Sequence, residues 1–314
     1  MLSPEQERDL ADAAAGLEGV ALRTPLISAD GFEHPVRLKA EHQQPIGAFK
    51  IRGAWTALRR LDPAERERGI VTSSSGNHGY ALAWSAQRMG VRAVIVMPES
   101  TAAIKQDNVR SVGGEVRLVG ATRGPEQQAE AERLAEVEGL VMIPPYDHPD
   151  VIAGQATCTL EILEDWPEVA AIALPVGGGG LLAGACLAVR SAARPVRLFA
   201  VEPEGIPKLS AAIAAGEPVD VTGGTSLADG LLTRSVGRVT WPIIRSGIGG
   251  VFGVSDDELR AGMRWLAARG IRAEPSGAAT AAALLAGKLP VSGPTALVVT
   301  GGNVDPKRYD HLVS

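Results

Sequence analysis

Cysteine is nearly absent from this chain of 314 residues, in which Cys158 and Cys186 are the only two. Two cysteines are too few for a disulfide framework or a cysteine-rich metal cluster, and their apolar helical surroundings predict packed thiols. Long apolar runs are missing too, since none approaches the ~20 residues that a membrane-spanning helix needs. The acidic start MLSPEQERDLADAAAG lacks the basic and apolar parts of a signal peptide. We therefore expect a cytoplasmic protein that makes no membrane contact.

Positive charge is in deficit as well. The chain has 31 Lys and Arg against 36 Asp and Glu, a net charge of −5, so it lacks the basic surface that nucleic-acid binding requires. Apolar residues make up 45%, which is typical of a folded globular protein and excludes disorder as the main state. Lysine is rare, and the whole set is Lys39, Lys50, Lys105, Lys208, Lys288 and Lys307. A lysine inside an apolar segment of this chain therefore needs a chemical explanation.

Short apolar segments alternate with helical patterns along the chain. Apart from Arg92, the predicted strands 92–97 and 171–176 are continuously apolar, which is typical of strands buried on both faces of a parallel sheet. We predict an α/β fold of two three-layer α/β/α domains with mostly parallel sheets. The smaller domain is predicted at residues 69–147, and the larger one combines 1–68 with 148–314. A ligand is expected in the cleft between them.

Four consecutive glycines, Gly177 to Gly180, follow the predicted strand 171–176 and open a helix. Such a turn lets several N–H groups point to one side, and the helix start adds a positive dipole end, so the segment predicts a phosphate site. A turn without a ligand needs fewer glycines. The segment also fits the dinucleotide fingerprint G-x-G-x-x-A, with Glu202 about 20 residues further on at the position of a ribose-binding acid. An NAD-binding oxidoreductase is therefore the alternative from a different functional class.

A polar turn at Ser73–Gly79, with the sequence SSSGNHG, also joins a predicted strand to a helix. Its N–H groups and hydroxyls favour an anion-binding nest, and Asn77 offers both a donor and an acceptor. A polar helix cap is the structural alternative, although a cap needs one such residue. Thr300 follows the last predicted strand, at the edge where open α/β sheets bind ligands.

Lys50 lies among apolar and small residues in the segment PIGAFKIRGA. Burial there would lower its pKa and leave a neutral amine that attacks a carbonyl or accepts a proton. The structural alternative is a surface lysine at a helix start, beside Arg52.

Taken together, these motifs resemble the pyridoxal 5′-phosphate (PLP) enzymes of the tryptophan-synthase-β fold, fold type II, and among them the threonine/serine dehydratases (ammonia-lyases) and serine racemases. The stretches that carry the resemblance span residues 39–305 in the family's order: GAFKIRGA, SSSGNHG, DVIAGQATCTLEIL, PVGGGGLLAG, AVEPE, ADG, TWPIIR, EPSGA and TGGNVD. The resemblance implies PLP as the cofactor, a small 3-hydroxy amino acid as the substrate, and a homodimer.

The resemblance also implies roles for individual residues. Lys50 resembles the lysine that forms the Schiff base with PLP and acts as the catalytic base. Ser75 matches a second acid/base that serine racemases use on the opposite face. The residues implied to bind the cofactor are Phe49, Lys50, Asn77, Gly177, Gly178, Gly179, Gly180, Glu274 and Thr300. Those implied to bind the substrate are Ser74, Ser75, Gly76, Asn77, His78 and Tyr146.

The implied reaction removes water from L-threonine or L-serine, giving 2-oxobutyrate or pyruvate and ammonia. A neutral hydroxyl at Thr300 makes the cofactor a weaker charge sink, which favours prompt elimination. Ser75 keeps open a serine racemase with elimination as a side activity, whereas Tyr146 resembles the dehydratases. A β-replacement enzyme and a non-catalytic amino-acid-binding protein are weaker alternatives, disfavoured by His78 and Lys50 respectively.

The chain departs from the family pattern at several positions. Ile46 and Ala48 replace a Thr and a Ser that usually precede the lysine, which reduces the polar support around it. Racemase-like members bind a divalent cation through a glutamate, a carbonyl and an aspartate. Glu202 matches the glutamate, but Lys208 stands at the aspartate position, so no metal site is predicted. The arginine that hydroxyaspartate-type members use is missing from GPEQQAEAE, which disfavours 3-hydroxyaspartate as the substrate.

Overall fold

Strands and helices alternate along the chain in a computed structural model that describes residues 2–314. The strands are β1 (Leu26–Ala29), β2 (Val36–Lys39), β3 (Ile70–Ser73), β4 (Ala93–Met97), β5 (Glu115–Leu118), β6 (Val141–Met142), β7 (Ala171–Pro175), β8 (Arg197–Pro203), β9 (Gly250–Val254) and β10 (Thr295–Val298). The helices are α1 (Pro4–Ala15), α2 (Lys50–Arg60), α3 (Pro63–Arg68), α4 (Asn77–Met89), α5 (Ala103–Ser111), α6 (Pro125–Glu138), α7 (Pro149–Asp165), α8 (Gly180–Ala188), α9 (Lys208–Ala215), α10 (Thr240–Ile244), α11 (Asp256–Ala267), α12 (Ala279–Leu285) and α13 (Pro306–Val313). Within residues 2–314, no helix combines the length and the apolar character needed to cross a membrane.

The larger sheet has the strand order β1-β2-β10-β7-β8-β9. Only β1 and β2 pair antiparallel, and the remaining neighbours are parallel. The last strand of the chain, β10, lies in the middle, where its Leu297 pairs with Leu38 on one side and Ala173 on the other. Helices cover both faces, so β7 and β10 are buried along their whole length.

The smaller sheet has the order β5-β4-β3-β6, and all its pairs are parallel. Its strands all lie between Ile70 and Met142. Together the two sheets confirm the predicted α/β fold with mostly parallel strands. The division into domains at residues 1–68 with 148–314 and at 69–147 stays a prediction about which parts fold and move as units.

Local sequence signals explain several element boundaries. The pattern Ser3-Pro4-Glu5-Gln6 predicts a helix start, and Ser3 does cap α1, with Pro4 in the first turn and Gln6 closing a capping box. Both cysteines are buried in helices, and burial raises the pKa of the Cys158 and Cys186 thiols, to about 12 for Cys186. They are packed thiols, as expected.

Other elements differ from the predictions. The sequence pattern missed β1, β2 and β9. The strands at the two edges of the larger sheet are β1, which has four residues, and β9, which is half-buried and contains glycine, while β2 is a four-residue inner strand that carries Arg37 and Lys39. The apolar pattern predicts a helix over residues 181–193, but α8 ends at Ala188, because the chain tightens into a 3₁₀ turn at Val189–Ser191. The pattern also predicts a helix over residues 276–285, and the structure begins this segment with a 3₁₀ turn at Pro275–Ala278 before α12.

The carboxyl ends of the parallel strands bring the predicted motifs together. The glycine turn follows β7, Thr300 follows β10, and the serine turn follows β3. Ala48 forms an isolated antiparallel bridge with Gly301, which attaches the segment before α2 to the end of β10. Loops from both sheets therefore meet around the start of α2, as open parallel sheets arrange their ligand sites.

Candidate active site

Lys50 is the first residue of α2, and its side chain points into the cleft between the two sheets. The Phe49 N–H donates to the Thr300 carbonyl at 3.0 Å, which fixes the backbone just before the lysine. The Lys50 Nζ donates to the Pro145 carbonyl at 2.6 Å and lies 5.1 Å from the centre of the Phe49 ring. Burial lowers the pKa of Lys50 from 10.5 to about 8. Lys50 therefore stands at a helix start but is not an ordinary surface lysine.

The glycine turn leads directly into α8. Gly179 has a φ of +98°, a conformation that favours glycine. A Cβ on Gly178 would lie 2.3 Å from the Tyr146 ring, so this ring packs against the backbone of the turn. The Gly178 carbonyl accepts hydrogen bonds from the Gly237 N–H and the Thr240 hydroxyl at 3.0 and 2.9 Å. The turn is thus held from outside, with the N-terminus of α8 directed at the site.

The serine turn opens α4. The Ser74 hydroxyl accepts from the Gly76 and Gly79 N–H groups at 3.4 and 3.3 Å, whereas the N-cap residue of α4 is Gly76, which has no side chain to cap the helix. The His78 ring is buried with its Nε2 3.1 Å from the Ile143 carbonyl. Burial, with the Lys50 charge nearby, lowers the pKa of His78 to about 3, so the ring is neutral.

Asn77 connects the serine turn to the larger sheet. Its Nδ2 donates to the Glu274 Oε1 at 2.7 Å, and its Oδ1 accepts from the Asn303 Nδ2 at 2.8 Å. Burial, and secondarily the Asp229 charge, raises the pKa of Glu274 to about 8. A cavity of about 350 Å³ opens beside Asn77 and Glu274. Lys105 and Asp229 line it as an ion pair at 2.6 Å.

Two residues near the site were missed by the sequence analysis. Thr233 Oγ1 is buried without a hydrogen-bond partner among residues 2–314, and it lies 3.7 Å from where a Cβ on Gly177 would be. The Arg123 Nη2 lies 3.4 Å from the Ser75 Oγ, and its Nη1 lies 3.4 Å from the Asp229 carbonyl. Neither residue belongs to a recognisable motif, so only the fold places them here.

Glu202 is not available to bind a ribose, because protein groups already occupy its carboxylate. Its carboxylate accepts from the Leu209 and Ser210 N–H groups at 2.8 and 2.9 Å and from the Ser210 hydroxyl at 2.7 Å. The Lys208 Nζ lies 3.8 Å from the same carboxylate and donates to the Ile206 carbonyl at 3.4 Å, and both charged side chains are fully buried. An ammonium group therefore stands between the glutamate and the carbonyl, and such a donor set does not fit a divalent cation.

Comparison with known proteins identifies the family to which this arrangement belongs. Residues 17–301 match the family model described as "Pyridoxal-phosphate dependent enzyme". The chain belongs to this family. The NAD-binding alternative is thereby set aside, and the resemblance drawn from the sequence is confirmed.

Individual pyridoxal-phosphate dependent enzymes are similar over nearly the whole chain. The L-threo-3-hydroxyaspartate ammonia-lyase of Saccharomyces cerevisiae is 37% identical, covering 98% of this chain and 95% of its own length. The L-threonine ammonia-lyase of Thermotoga maritima is 35% identical, covering 98% and 77% respectively. A solved structure of maize serine racemase superposes with a TM-score of 0.91 at 33% identity, covering 97% of both chains. The chain is thus a member of the ammonia-lyase and racemase group.

The residues of the cleft fit PLP, the cofactor of this family. The glycine turn leaves the start of α8 without side chains, as a phosphate site requires, and the unpartnered Thr233 hydroxyl lies beside it. Lys50 supplies an amine whose lowered pKa suits covalent attachment of a carbonyl group. Phe49 and Thr300 adjoin this lysine through the backbone.

Proposed function

We propose that this chain eliminates water from L-threonine and L-serine, yielding 2-oxobutyrate or pyruvate together with ammonia. The observation that carries the proposal is the placement of Lys50. Its amine, with a pKa of about 8, contacts Pro145 beyond β6 while its backbone is attached to the end of β10. A base at the substrate Cα must be partly neutral near the working pH, and this amine is.

The chain's own residues divide the work around Lys50. When bound, PLP supplies the electron sink for charge that develops at the substrate Cα. The Lys50 Nζ removes the Cα proton. The glycine turn and Thr233 would hold the phosphate, and Phe49 would pack against the ring. Asn77 is fixed from both sides by Glu274 and Asn303, and its amide would bind the ring hydroxyl.

The start of α4 receives the substrate carboxylate. Ser75 and Asn77 bring backbone N–H groups to the positive end of this helix, which favours an anion. Ser74 and Gly76 shape the turn between them, because the Ser74 N–H donates to the Val96 carbonyl and the Gly76 N–H donates to the Ser74 hydroxyl. His78 takes part through its backbone, because its ring faces Ile143 and is neutral. Tyr146 lines the same cleft from the smaller-sheet side, with its ring against Gly178.

Thr300 favours elimination over racemisation. Its hydroxyl would face the cofactor nitrogen, and a neutral group there would not stabilise a protonated ring as a carboxylate would. Charge at the substrate Cα would then be short-lived, and the β-hydroxyl would take up a proton and leave as water before a proton returns to the Cα. This preference for elimination supports the proposed loss of water from L-threonine and L-serine.

The direct test is formation of 2-oxo acids from L-threonine and L-serine by the PLP-loaded protein. Lys50→Ala should abolish turnover, and the exposed Lys307→Ala serves as the matched control that retains it. Turnover of Lys50→Ala close to that of the wild type would contradict the role of Lys50. A fully active control with no 2-oxo acid from either substrate would contradict the substrate assignment.

A second candidate substrate is L-threo-3-hydroxyaspartate, and Arg123 is the observation that favours it. The segment GPEQQAEAE has no arginine, but Arg123 directly precedes it and reaches to 3.4 Å from the Ser75 Oγ. A guanidinium at this point could bind a second carboxylate on the substrate β-carbon. The name of the similar yeast enzyme also supports this substrate.

Arg123→Gln distinguishes the two substrates. Hydrogen bonds to charged groups contribute about 1.5–3 kcal/mol, so kcat/KM for 3-hydroxyaspartate should fall by about tenfold to a hundredfold. The value for L-threonine should change little, and Arg117→Gln, an exposed arginine on β5, is the control. Equal effects on both substrates would argue against a role of Arg123 in binding the second carboxylate.

A further inference from the structure

Four charged side chains form a buried cluster behind the start of α2: Lys39 on β2, Glu41 in the 3₁₀ turn Glu41–Gln43, Arg52 on α2 and Glu161 on α7. The first three side chains are fully buried, and that of Glu161 is 14% exposed. Two positive and two negative groups give the cluster no net charge. Each member therefore depends on the others, because an unpaired buried charge is strongly unfavourable.

Arg52 is the centre of this cluster. Its Nε and Nη2 donate to the two oxygens of Glu41, each at 2.8 Å. Its Nη1 and Nη2 also donate to the two oxygens of Glu161 at 2.6 and 2.8 Å. The Lys39 Nζ donates to Glu161 from the other side. A planar guanidinium clamped by two carboxylates in this way has a fixed orientation.

Close backbone packing fixes the same turn of α2. A Cβ on Gly53 would lie 2.7 Å from the Val151 carbonyl oxygen, and one on Gly154 would lie 2.4 Å from the Arg52 carbonyl oxygen. The backbones of α2 and α7 therefore touch at Arg52 and Gly53. In contrast, Phe49 at the N-cap of α2 makes no side-chain capping bond. The start of this helix is held by α7 and by the cluster rather than by a local cap.

We propose that Arg52 is a positioning residue for Lys50: by anchoring the first turn of α2, it directs the lysine amine into the cleft. Residues i and i+2 of a helix project to opposite sides, so holding the Arg52 side chain in the cluster sets the direction in which Lys50 leaves the helix. The inference rests on the proposed role of Lys50 as the reacting amine.

The test is Arg52→Lys in the PLP-loaded protein. Arg59→Lys is the matched control, because Arg59 lies on the same helix, is partly exposed and pairs with Asp12 on α1 outside the cluster. Lysine keeps the charge but cannot form the forked bonds to two carboxylates. Misplacement of the amine should lower kcat for L-threonine between about tenfold and a hundredfold while KM stays nearly constant. The pH midpoint of the visible absorption of bound PLP should also shift, and the dissociation constant of PLP should rise. Arg59→Lys should match the wild type in every measurement.

Each outcome decides the matter separately from the proposed function. A folded Arg52→Lys with unchanged kcat, cofactor spectrum and cofactor affinity overturns the positioning role. If the wild type does not act on L-threonine or L-serine, the proposed function fails, but the spectrum and the affinity still test Arg52. If Arg52→Lys does not fold, Glu161→Gln replaces it, with Glu164→Gln as the exposed control on the same helix. An unchanged spectrum and affinity in folded Glu161→Gln likewise overturns the proposal.

Discussion

The side-chain amide of Asn77 donates a hydrogen bond to the carboxyl of Glu274 at 2.7 Å, although the two residues are 197 positions apart in the chain. Glu274 is only 6% exposed, and burial raises its pKa from 4.5 to about 8. The carboxyl therefore keeps its proton at neutral pH. Since a second bond from Asn303 holds the Asn77 oxygen, the orientation of the amide is fixed by two neutral partners.

This pair predicts a pH-dependent stability that Glu274→Gln removes. The folded protein holds the Glu274 proton more tightly than the unfolded chain does. The stability that the protonated Glu274 contributes is therefore fully present below pH 4.5 and is lost as the pH rises to about 8. Lys50, whose pKa is lowered to about 8, has the opposite effect at higher pH, because the stability of the folded protein rises as the pH increases above about 8. We expect the stability of the cofactor-free wild type to decline by on the order of 3 kcal/mol relative to the variant between about pH 5 and 8. Urea unfolding at several pH values measures this, and parallel curves for the two proteins would disprove it.

Ser75→Ala should separate the two reactions that the family carries out. Racemisation needs a proton donor on the face opposite Lys50, so any interconversion of L- and D-serine should fall by about a hundredfold or more. Elimination from L-threonine needs only Lys50 as base and should be largely retained. Chiral chromatography of serine and a 2-oxo acid assay give the two rates. If L-threonine elimination is lost instead, Ser75 serves the main reaction.

The buried pair of Lys208 and Glu202 predicts that divalent cations neither activate nor stabilise this protein. Chelation should leave turnover and thermal stability unchanged, because an ammonium group already faces the Glu202 carboxylate. Lys208→Met should lower stability by about 3–5 kcal/mol, the usual cost of leaving a buried charge unpaired, and added Mg²⁺ should not restore it. Thermal and urea unfolding measure these effects. Stimulation of the wild type by Mg²⁺ after exhaustive chelation would contradict the prediction.

Gly178→Ala should damage the cofactor site through Tyr146. The new Cβ would lie 2.3 Å from the Tyr146 ring, so either the ring or the glycine turn must move. We expect a stability loss of ~1–3 kcal/mol and weaker PLP binding. Gly293→Ala, where the new Cβ would meet its nearest neighbour at 3.4 Å, is the control. Unchanged cofactor affinity in Gly178→Ala would show that the turn tolerates a side chain.

The sequence alone predicts those parts of this molecule whose structure is determined by residues that are neighbours in the chain. Buried parallel strands such as β4 and β7 are readable because each residue must be apolar, and the glycine turn because no other residue fits Gly179. The edge strand β9 carries no such signal. Arg123 and Thr233 reach the cleft only because the chain returns from distant positions, so no local pattern marks them.

The position of β10 has a consequence for how the protein acquires its shape. This central strand pairs with β2, about 260 residues earlier in the chain, and its end carries Gly301, the partner of Ala48. Although α7 is available earlier, the residues just before Lys50 therefore lack their attachment to the end of β10 until nearly the whole polypeptide is available. Closing so long a loop is slow, and the middle of the larger sheet stays open meanwhile. During synthesis, the backbone attachment next to the reactive lysine is thus among the last contacts of the site to form.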